Sequence, residues 1–523
     1  MNYADLFRVT LPETALEVAA LLVLIVDLGF LRKAALKTRV AVAALLGVAG
    51  CGAALWAMRF QYGAWLTSDG EGFGPALLGT GGYVGVAQTG ILILTALTLL
   101  LLIDSVFTRH VGEFVALDLM AAAGGLLVAG AQDLLVIFVG LELLSLSLYI
   151  MTAFAKSSAK SAEAALKYYL FGGMSAAFLL FGFSYFYGLS GTTNLTGIQE
   201  AISSSGSSPL FCVAWILVVA GLGFKVAAVP FHLWAPDTYE GAPAPAAAFI
   251  ASVSKVASFA LLITLSWQWM RVGSNFGSSL TVVNPFLRQY YQTWPKLGLV
   301  LLVVAAASMV VGNLAALAQI SVRRLLAYSA IAHAGYILLG LAVQPVYSGQ
   351  GSPFEFFAKS VYLAIRSTDA ILYYVLTYGL TVIGAFGVVG VVERATGSDR
   401  LDSFLGLHKR NPVLAAVLLV LFLSLAGIPP LVGFWAKFNL FAAVLGVSAG
   451  PVPFALVVLA VAFSAVSLYY YLQVLKRAYV MPAIDETPIK AHPVTLAVLV
   501  AIAAAVVVLG CFPALLQGWI ESF

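Results

Sequence analysis

The stretch Gly221-Leu-Gly-Phe-Lys225-Val-Ala-Ala-Val-Pro230-Phe-His232-Leu-Trp-Ala-Pro236-Asp237-Thr-Tyr-Glu240-Gly-Ala-Pro243-Ala-Pro245 opens at the end of an apolar run of membrane length. It carries a lysine there and a proline five residues later. An ammonium at the centre of a bilayer costs about 2.5–3.5 kcal/mol even on the lenient insertion scale. Proline removes a backbone donor and clashes with the preceding turn, so the spacing predicts a helix broken beside a buried charge. Transport machinery builds its midplane ion sites from such broken helices.

The flanking sequence is of the same kind. Of the 523 residues 62% are hydrophobic and 10% charged, and the mean hydropathy is +1.00, which excludes an ordinary soluble domain and predicts an all-α polytopic membrane protein. Counting spans of roughly 20 apolar residues places fourteen transmembrane helices. They fall at about 12–31, 40–58, 87–107, 114–131, 133–155, 166–189, 210–231, 246–270, 297–320, 324–342, 370–392, 412–440, 453–475 and 493–513, the seventh and twelfth being broken. The first span is followed at once by Arg32 and Lys33, so it reads as a retained helix and not a cleaved signal. Sixteen of the 27 Lys and Arg, among them Arg32, Lys33, Arg323, Arg324, Lys409, Arg410, Lys476 and Arg477, fall on one side of these spans and seven on the other. The positive-inside rule makes the first side cytoplasmic and puts both termini outside. The external stretches Ser190–Pro209 and Gly273–Ser279 read as plain connectors. Gln344–Asp369, with Phe354-Glu-Phe-Phe357, reads as a surface helix or a partner contact, the former the blander choice.

The remaining four cations, Lys167, Lys225, Lys255 and Lys437, lie inside spans. The twelfth span repeats the pattern of the seventh, with Ala426-Gly427-Ile-Pro429-Pro430 and then Gly433-Phe-Trp-Ala-Lys437. An offset of five spans makes the copies cross in opposite senses, which predicts two inverted five-helix repeats, spans 4–8 and 9–13, with helix breaks at Pro230, Pro429 and Pro430. The chain divides accordingly into 1–113 (three N-terminal helices), 114–270 and 271–476 (the repeats) and 477–523 (the last span).

Glu142 sits in the apolar Val139-Gly-Leu-Glu142-Leu-Leu-Ser145-Leu-Ser147-Leu-Tyr149. A lone carboxyl there stays neutral, whereas one beside a lysine ionises and titrates with it as a unit. A Lys–Glu pair of this kind is a switchable proton site; the competing reading, a static pair gluing two helices, leaves one carboxylate to serve four lysines. His232 after the break and His333 in the tenth span can relay protons near neutral pH, or serve as hydrogen-bonded core histidines. Ser254, Ser329, Tyr149, Tyr168, Tyr328 and Tyr336 are placed to link these groups. Cys51, Cys212 and Cys511 are isolated and read as small buried hydrophobes, giving no metal or iron–sulfur spacing. There is no P-loop, no strand–turn–helix dinucleotide fingerprint and no bis-histidine haem pattern. The chain reads as one that conducts ions and takes its driving force from elsewhere.

Several segments resemble a known family: Leu11-Pro-Glu13 leading into Val23-Leu-Ile-Val-Asp27; Val139 to Tyr149; Ala164-Ala-Leu-Lys167-Tyr-Tyr; Gly223 to Pro245; Ser252-Val-Ser-Lys255; Leu325 to His333; and Leu425 to Lys437. Together they resemble the antiporter-like membrane subunits of proton-pumping NADH–quinone oxidoreductase (respiratory complex I), and among these the subunit N (subunit 2) group. The segments around Lys225 and Lys437 are shared with sister subunits and Mrp-type sodium/proton antiporters; the Glu142 span, Leu-Lys167-Tyr-Tyr and lysine at 437 point to subunit N. The resemblance implies proton translocation through a pair of Glu142 and Lys225 tuned by Lys167, a link through Lys255 and His232, and an exit site at Lys437. It implies that FMN, iron–sulfur clusters and quinone reside in partner subunits, none being bound by this chain, and that the chain works in a hetero-oligomer with other membrane subunits and lipids, without nucleic acid. The alternatives are a subunit of a Mrp-type cation/proton antiporter or membrane-bound hydrogenase, an assembly subunit with idle charges, and a transporter acting alone. The 344–369 loop is longer than the family pattern.

Overall fold

The computed structural model describes residues 7–67, 77–105, 107–205, 209–270, 285–343, 353–447, 450–483 and 485–523. Gly273–Ser279 and the start of the 344–369 loop lie outside them. Among the described residues the chain is helical, and β pairing is limited to three isolated bridges. The helices are α1 (Leu11–Ile25), α2 (Leu36–Thr67), α3 (Gly82–Leu102), α4 (Val111–Gly130), α5 (Leu134–Thr152), α6 (Ala159–Ser190), α7 (Leu195–Ser205), α8 (Pro209–Lys225), α9 (Trp234–Gly241) and α10 (Ala244–Ala251). They continue as α11 (Val253–Met270), α12 (Pro285–Leu317), α13 (Val322–Ala342), α14 (Pro353–Thr396), α15 (Pro412–Ala426), α16 (Val432–Val447), α17 (Pro451–Tyr479), α18 (Pro493–Cys511) and α19 (Pro513–Glu521).

Among the described residues eleven helices, rather than the fourteen expected, are long and apolar enough to cross a membrane, and α8, α15 and α16 are shorter apolar helices. The difference arises where a span is interrupted. The first span is the 15-residue α1 closed by a π-helical turn, Val26–Phe30. The seventh ends at Lys225 itself, five residues before Pro230. The twelfth divides into α15 and α16 around Gly427 and the two prolines. The eighth is also interrupted, at Ser252, three residues before Lys255, with no proline to announce it. Two loop readings change as well. Ser190–Pro209 contains α7, and the chain from Pro353 onward belongs to the 44-residue α14 and not to a separate surface helix.

The two repeats share backbone details. Helices α4 and α5 cross where a Cβ added to Gly124 would stand 2.6 Å from the Leu144 nitrogen; α12 and α13 cross where one on Gly312 would stand 2.6 Å from that of Ala332. Membrane helices approach this closely only through such small residues. Asp133 and Ser321 cap α5 and α13, and beside each cap a bridge ties the turn to a later loop, Asp133 to Asn194 and Ser321 to Arg400. α6 and α14 both end on a left-handed glycine, Gly191 and Gly397. α8 and α15 end on matching turns: Ala227 and Gly427 have positive φ, and the amides of Ala228 and Ile428 donate back five residues to Gly223 and Leu423. The match sharpens the internal repeat. Ala227 aligns with Gly427 and Pro230 with Pro430, so Lys437 aligns with Asp237, and Lys225 aligns with Leu425. The lysines are not at equivalent positions.

The N-terminal helices pack on α4 through Asp27. The π-helical turn presents its carboxylate to Arg39 Nε and Nη2 at 2.7 and 2.6 Å and to the amide of Gly112 at 3.0 Å, at the start of α4. Asp27 is 1% exposed, so a bidentate arginine and an unpaired helix N-terminal amide compensate its desolvation.

Candidate functional site

A broken helix leaves carbonyls unpaired at its C-terminal end, where the peptide dipoles favour a cation. Both interrupted spans use this. Lys225 is the last residue of α8 and sits at that end by its own position. Lys437 stands on α16, beyond the second break, and reaches back: its Nζ donates to the carbonyls of Leu425 and Ala426, the last two residues of α15, at 3.1 and 3.0 Å, and to Ser464 Oγ at 2.9 Å. Two ammoniums thus arrive at equivalent helix ends from opposite sides of the break. Gly427 makes room for the second, since a Cβ there would lie 3.0 Å from Lys437 Cδ and 3.2 Å from its Nζ.

Lys225 is buried and donates to Ser145 Oγ on α5, one turn beyond Glu142. Glu142 and Lys225 make no direct ion pair, and Ser145 is the group that the ammonium contacts. The break also reaches the second repeat, where the amide of Val229 donates to Ser308 Oγ of α12 at 2.9 Å.

Lys255, His333 and Lys437 form a second group, entirely buried. Lys255 Nζ donates to the Ala330 carbonyl on α13 at 2.6 Å and lies 5.6 Å from the centre of the Tyr378 ring. One turn along α13 from that carbonyl stands His333, itself buried. Its Nδ1 shares a 2.8 Å hydrogen bond with the Tyr374 hydroxyl, and its Nε2 lies 3.5 Å from that of Tyr471, which is bonded to Ser329. Lys437 lies 5.6 Å from the centre of the Tyr336 ring; the Tyr336 hydroxyl accepts from Asn313, which accepts from Tyr470. Tyrosine hydroxyls that both donate and accept therefore fill the space between three ionisable groups.

Two expected members stand elsewhere. His232 is half-buried on the loop after the break, its Nδ1 without a hydrogen-bond partner among the described residues, and it does not join the Lys255 group. Lys167 is not beside Glu142: its Nζ is 2.7 Å from both Glu163 and Asp237, and its side chain is 39% exposed. It belongs to an ion cluster in which Arg324 Nη1 donates to Asp237 at 2.6 Å and to Glu240 at 2.9 Å, and Lys160 donates to Glu240 at 3.2 Å. Burial pushes the Asp237 and Glu240 carboxyls up, but hydrogen bonds from Lys167 and Arg324 to the first, and from Arg324 and Lys160 to the second, outweigh it and hold both below their ordinary values. Asp237 and Glu240 stand in plain view in the Gly221–Pro245 stretch, but their partners come from α6 and α13, which only the fold brings near. Buried Asp118 on α4 was likewise passed over. No cluster of three or more His, Cys, Asp or Glu that could hold a metal occurs among the described residues.

A family profile described as "NADH:quinone oxidoreductase/Mrp antiporter, TM" matches residues 131–284, 277–364 and 356–464. The chain is 46% identical to NADH-quinone oxidoreductase subunit N 2 of Acidobacterium capsulatum, over 100% of this chain and 99% of that one. It is similar to a chain of respiratory complex I from Thermus thermophilus with bound aureothin, at 33% identity and a TM-score of 0.72, covering 97% and 98% of the two chains. A chain of the Mrp complex from a Dietzia species shares the fold at 21% identity and a TM-score of 0.74, covering 97% and 95%.

Proposed function

From the premise that the chain belongs to the NADH:quinone oxidoreductase/Mrp antiporter family, as a subunit N of NADH-quinone oxidoreductase, we propose that it carries protons along a buried row: Glu142 with Ser145 and Lys225, then Lys255, His333 and Lys437. The chain is a non-catalytic membrane subunit of a proton-pumping translocase and works among other membrane subunits. In this reading FMN, the iron–sulfur clusters and quinone belong to those partners. The chain lies in a bacterial inner membrane with both termini periplasmic, in the segments 1–113, 114–270, 271–476 and 477–523.

The observation that carries the reading is buried His333 on α13, standing between Ala330, whose carbonyl holds Lys255, and Tyr336, whose ring Lys437 faces, and bonded to Tyr374. A buried ammonium raises the cost of charging its neighbours, so a proton on Lys255 disfavours one on His333 or Lys437. A charge introduced at one end of the row therefore pushes protons along it. Each lysine has a resting partner for its charged form: Ser145 for Lys225, the Ala330 carbonyl for Lys255, and the α15 carbonyls for Lys437. Redox events in partner subunits would enter as a change of charge or hydration at the Glu142 end. His232 and Lys167 serve at the edges, His232 at the first break and Lys167 as the cation holding Asp237.

The test is Lys255→Met in the assembled complex in inverted membrane vesicles. NADH oxidation should persist while proton uptake per NADH falls. Full proton uptake by an assembled variant would sink the proposal.

A further inference from the structure

Beside the ion cluster lies a cavity of about 570 Å³. Its walls are the Gly241–Pro245 connection, the C-terminal part of α14, the start of α13, two residues of α3, and single residues of α6 and α18. Six charged side chains line it: Lys160, Glu240, Arg323, Glu393, Arg394 and Asp399. Three are acids and three are bases, so the lining favours neither an anion nor a cation as a resident ligand. Four of the six side chains are held by partners other than Arg323 and Glu393. Lys160 and Glu240 are bonded to each other, Arg394 donates to Asp104 at 2.6 Å, and Asp399 accepts from Ser321. The other two, Glu393 and Arg323, face each other, with Arg323 Nη2 2.8 Å from Glu393 Oε2.

Arg323 is 4% exposed, and its Nη1 donates to the carbonyls of Glu240 and Ala242 at 3.0 and 2.7 Å, where α9 ends. Glu393 is one-third exposed to the cavity. At the far end the cavity reaches Ala248 of α10 and Thr98 of α3, both 2% exposed. The Ala248 carbonyl accepts from Ser252 Oγ, the residue at which the eighth span is broken. Lys255 follows seven residues after Ala248, on the far side of that break.

We propose that this cavity is the intake vestibule for the buried row, with Glu393 as the carboxylate that collects the proton and Arg323 as the group that holds and releases it. The inference rests on the reading of Lys255 as a proton carrier. A hydronium ion in the vestibule gives its proton to the Glu393 carboxylate and leaves water; the neutral acid no longer pairs ionically with Arg323. The acid then gives the proton through water to neutral Lys255, which becomes the ammonium, and the Glu393 carboxylate re-forms its pair. Around Glu393 the charged groups are Arg323 from α13, Lys160 from α6, Glu240 from α9, Arg394 on its own helix and Asp399 just after it; α3 contributes uncharged Thr98 and Leu101, and α18 uncharged Thr495. Arg323 alone among the bases contacts Glu393, so protonation switches one contact and leaves the rest of the cluster in place.

The experiment uses the complete complex in inverted vesicles. Glu393→Gln should lower proton uptake per NADH by about a hundredfold, the low end of what a positioned proton-transfer group contributes, and Glu393→Asp should retain most of it. In parallel, with Cys51, Cys212 and Cys511 changed to serine, Ala248→Cys should react with a charged, membrane-impermeant thiosulfonate from the same face as a Lys409→Cys control, read by the mass of this chain. Parental proton uptake in Glu393→Gln overturns the proposal, as does an Ala248→Cys thiol that stays unlabelled, or labels only from the opposite face, while the control reacts. Lys255→Met separates the layers. If it pumps normally the proton row fails; if it does not pump while Glu393→Gln does, only the vestibule fails.

Discussion

At the residue scale, two alignable positions show how a backbone torsion serves an ammonium. Gly427 has φ +86° and lies under the Lys437 side chain, so Gly427→Ala adds both a left-handed alanine and a methyl 3.0 Å from Lys437 Cδ. The torsion alone costs about 1–2 kcal/mol, and the methyl pushes the ammonium off the α15 carbonyls. The variant should assemble yet lose proton uptake, measured against NADH oxidation in vesicles; normal uptake would mean that the Lys437 contact is dispensable. Ala227 occupies the equivalent torsion at φ +59° with a Cβ already present. Ala227→Gly should therefore raise the midpoint of thermal unfolding in detergent, by an amount on the order of 1 kcal/mol, without changing coupling. A lower midpoint would show that the alanine methyl's packing outweighs its torsion.

At the element scale, α9 is held to α13 by the ion cluster, which joins the two repeats. The Asp237 and Glu240 carboxyls are held below their ordinary values, so their pairing stabilises the protein above the unfolded value, about 4 for a carboxyl, and that stability is lost as pH falls through the lower folded values. Hydrogen exchange of the α9 amides should accelerate as pH is lowered through this acid range, beyond the intrinsic pH dependence. Asp237→Asn should show the faster exchange already at neutral pH, and unchanged protection there would remove the cluster's role in holding α9. The break after Lys225 was legible because proline and lysine are local signals. Its position was not, because the left-handed turn at Ala227 ends α8 before Pro230 is reached. The break at Ser252 has no breaker residue at all, and Lys167 was read as buried because its ion partners lie on other helices. Apolar periodicity tells that a helix crosses a membrane; it is silent on which neighbour faces each turn.

At the scale of the whole molecule, the sequence disclosed the membrane class and the existence of two copies of one unit, since both follow from hydropathy and from repeated Gly/Pro interruptions. It misaligned the copies, pairing Lys225 with Lys437, because one lysine per interrupted span looks like equivalence until the turns are superposed. The fold instead gives each copy an ammonium at a helix end, and it lets the row cross from one copy to the other where Lys255 of α11 meets Ala330 of α13. A row that crosses is a single conductor, and that has a measurable consequence. Independent routes would conduct in parallel, so Lys255→Met and Lys437→Met would each leave the other route's share of proton uptake, and the two losses would sum in the double variant. One row through His333 predicts that the double variant pumps about as well as the weaker single one, since a conductor cut twice conducts no less than when cut once. The comparison is made as proton uptake per NADH oxidised in vesicles with equal complex content. Two partial single losses that sum to the loss of the double variant would place Lys255 and Lys437 on separate paths and remove His333 as the link between them.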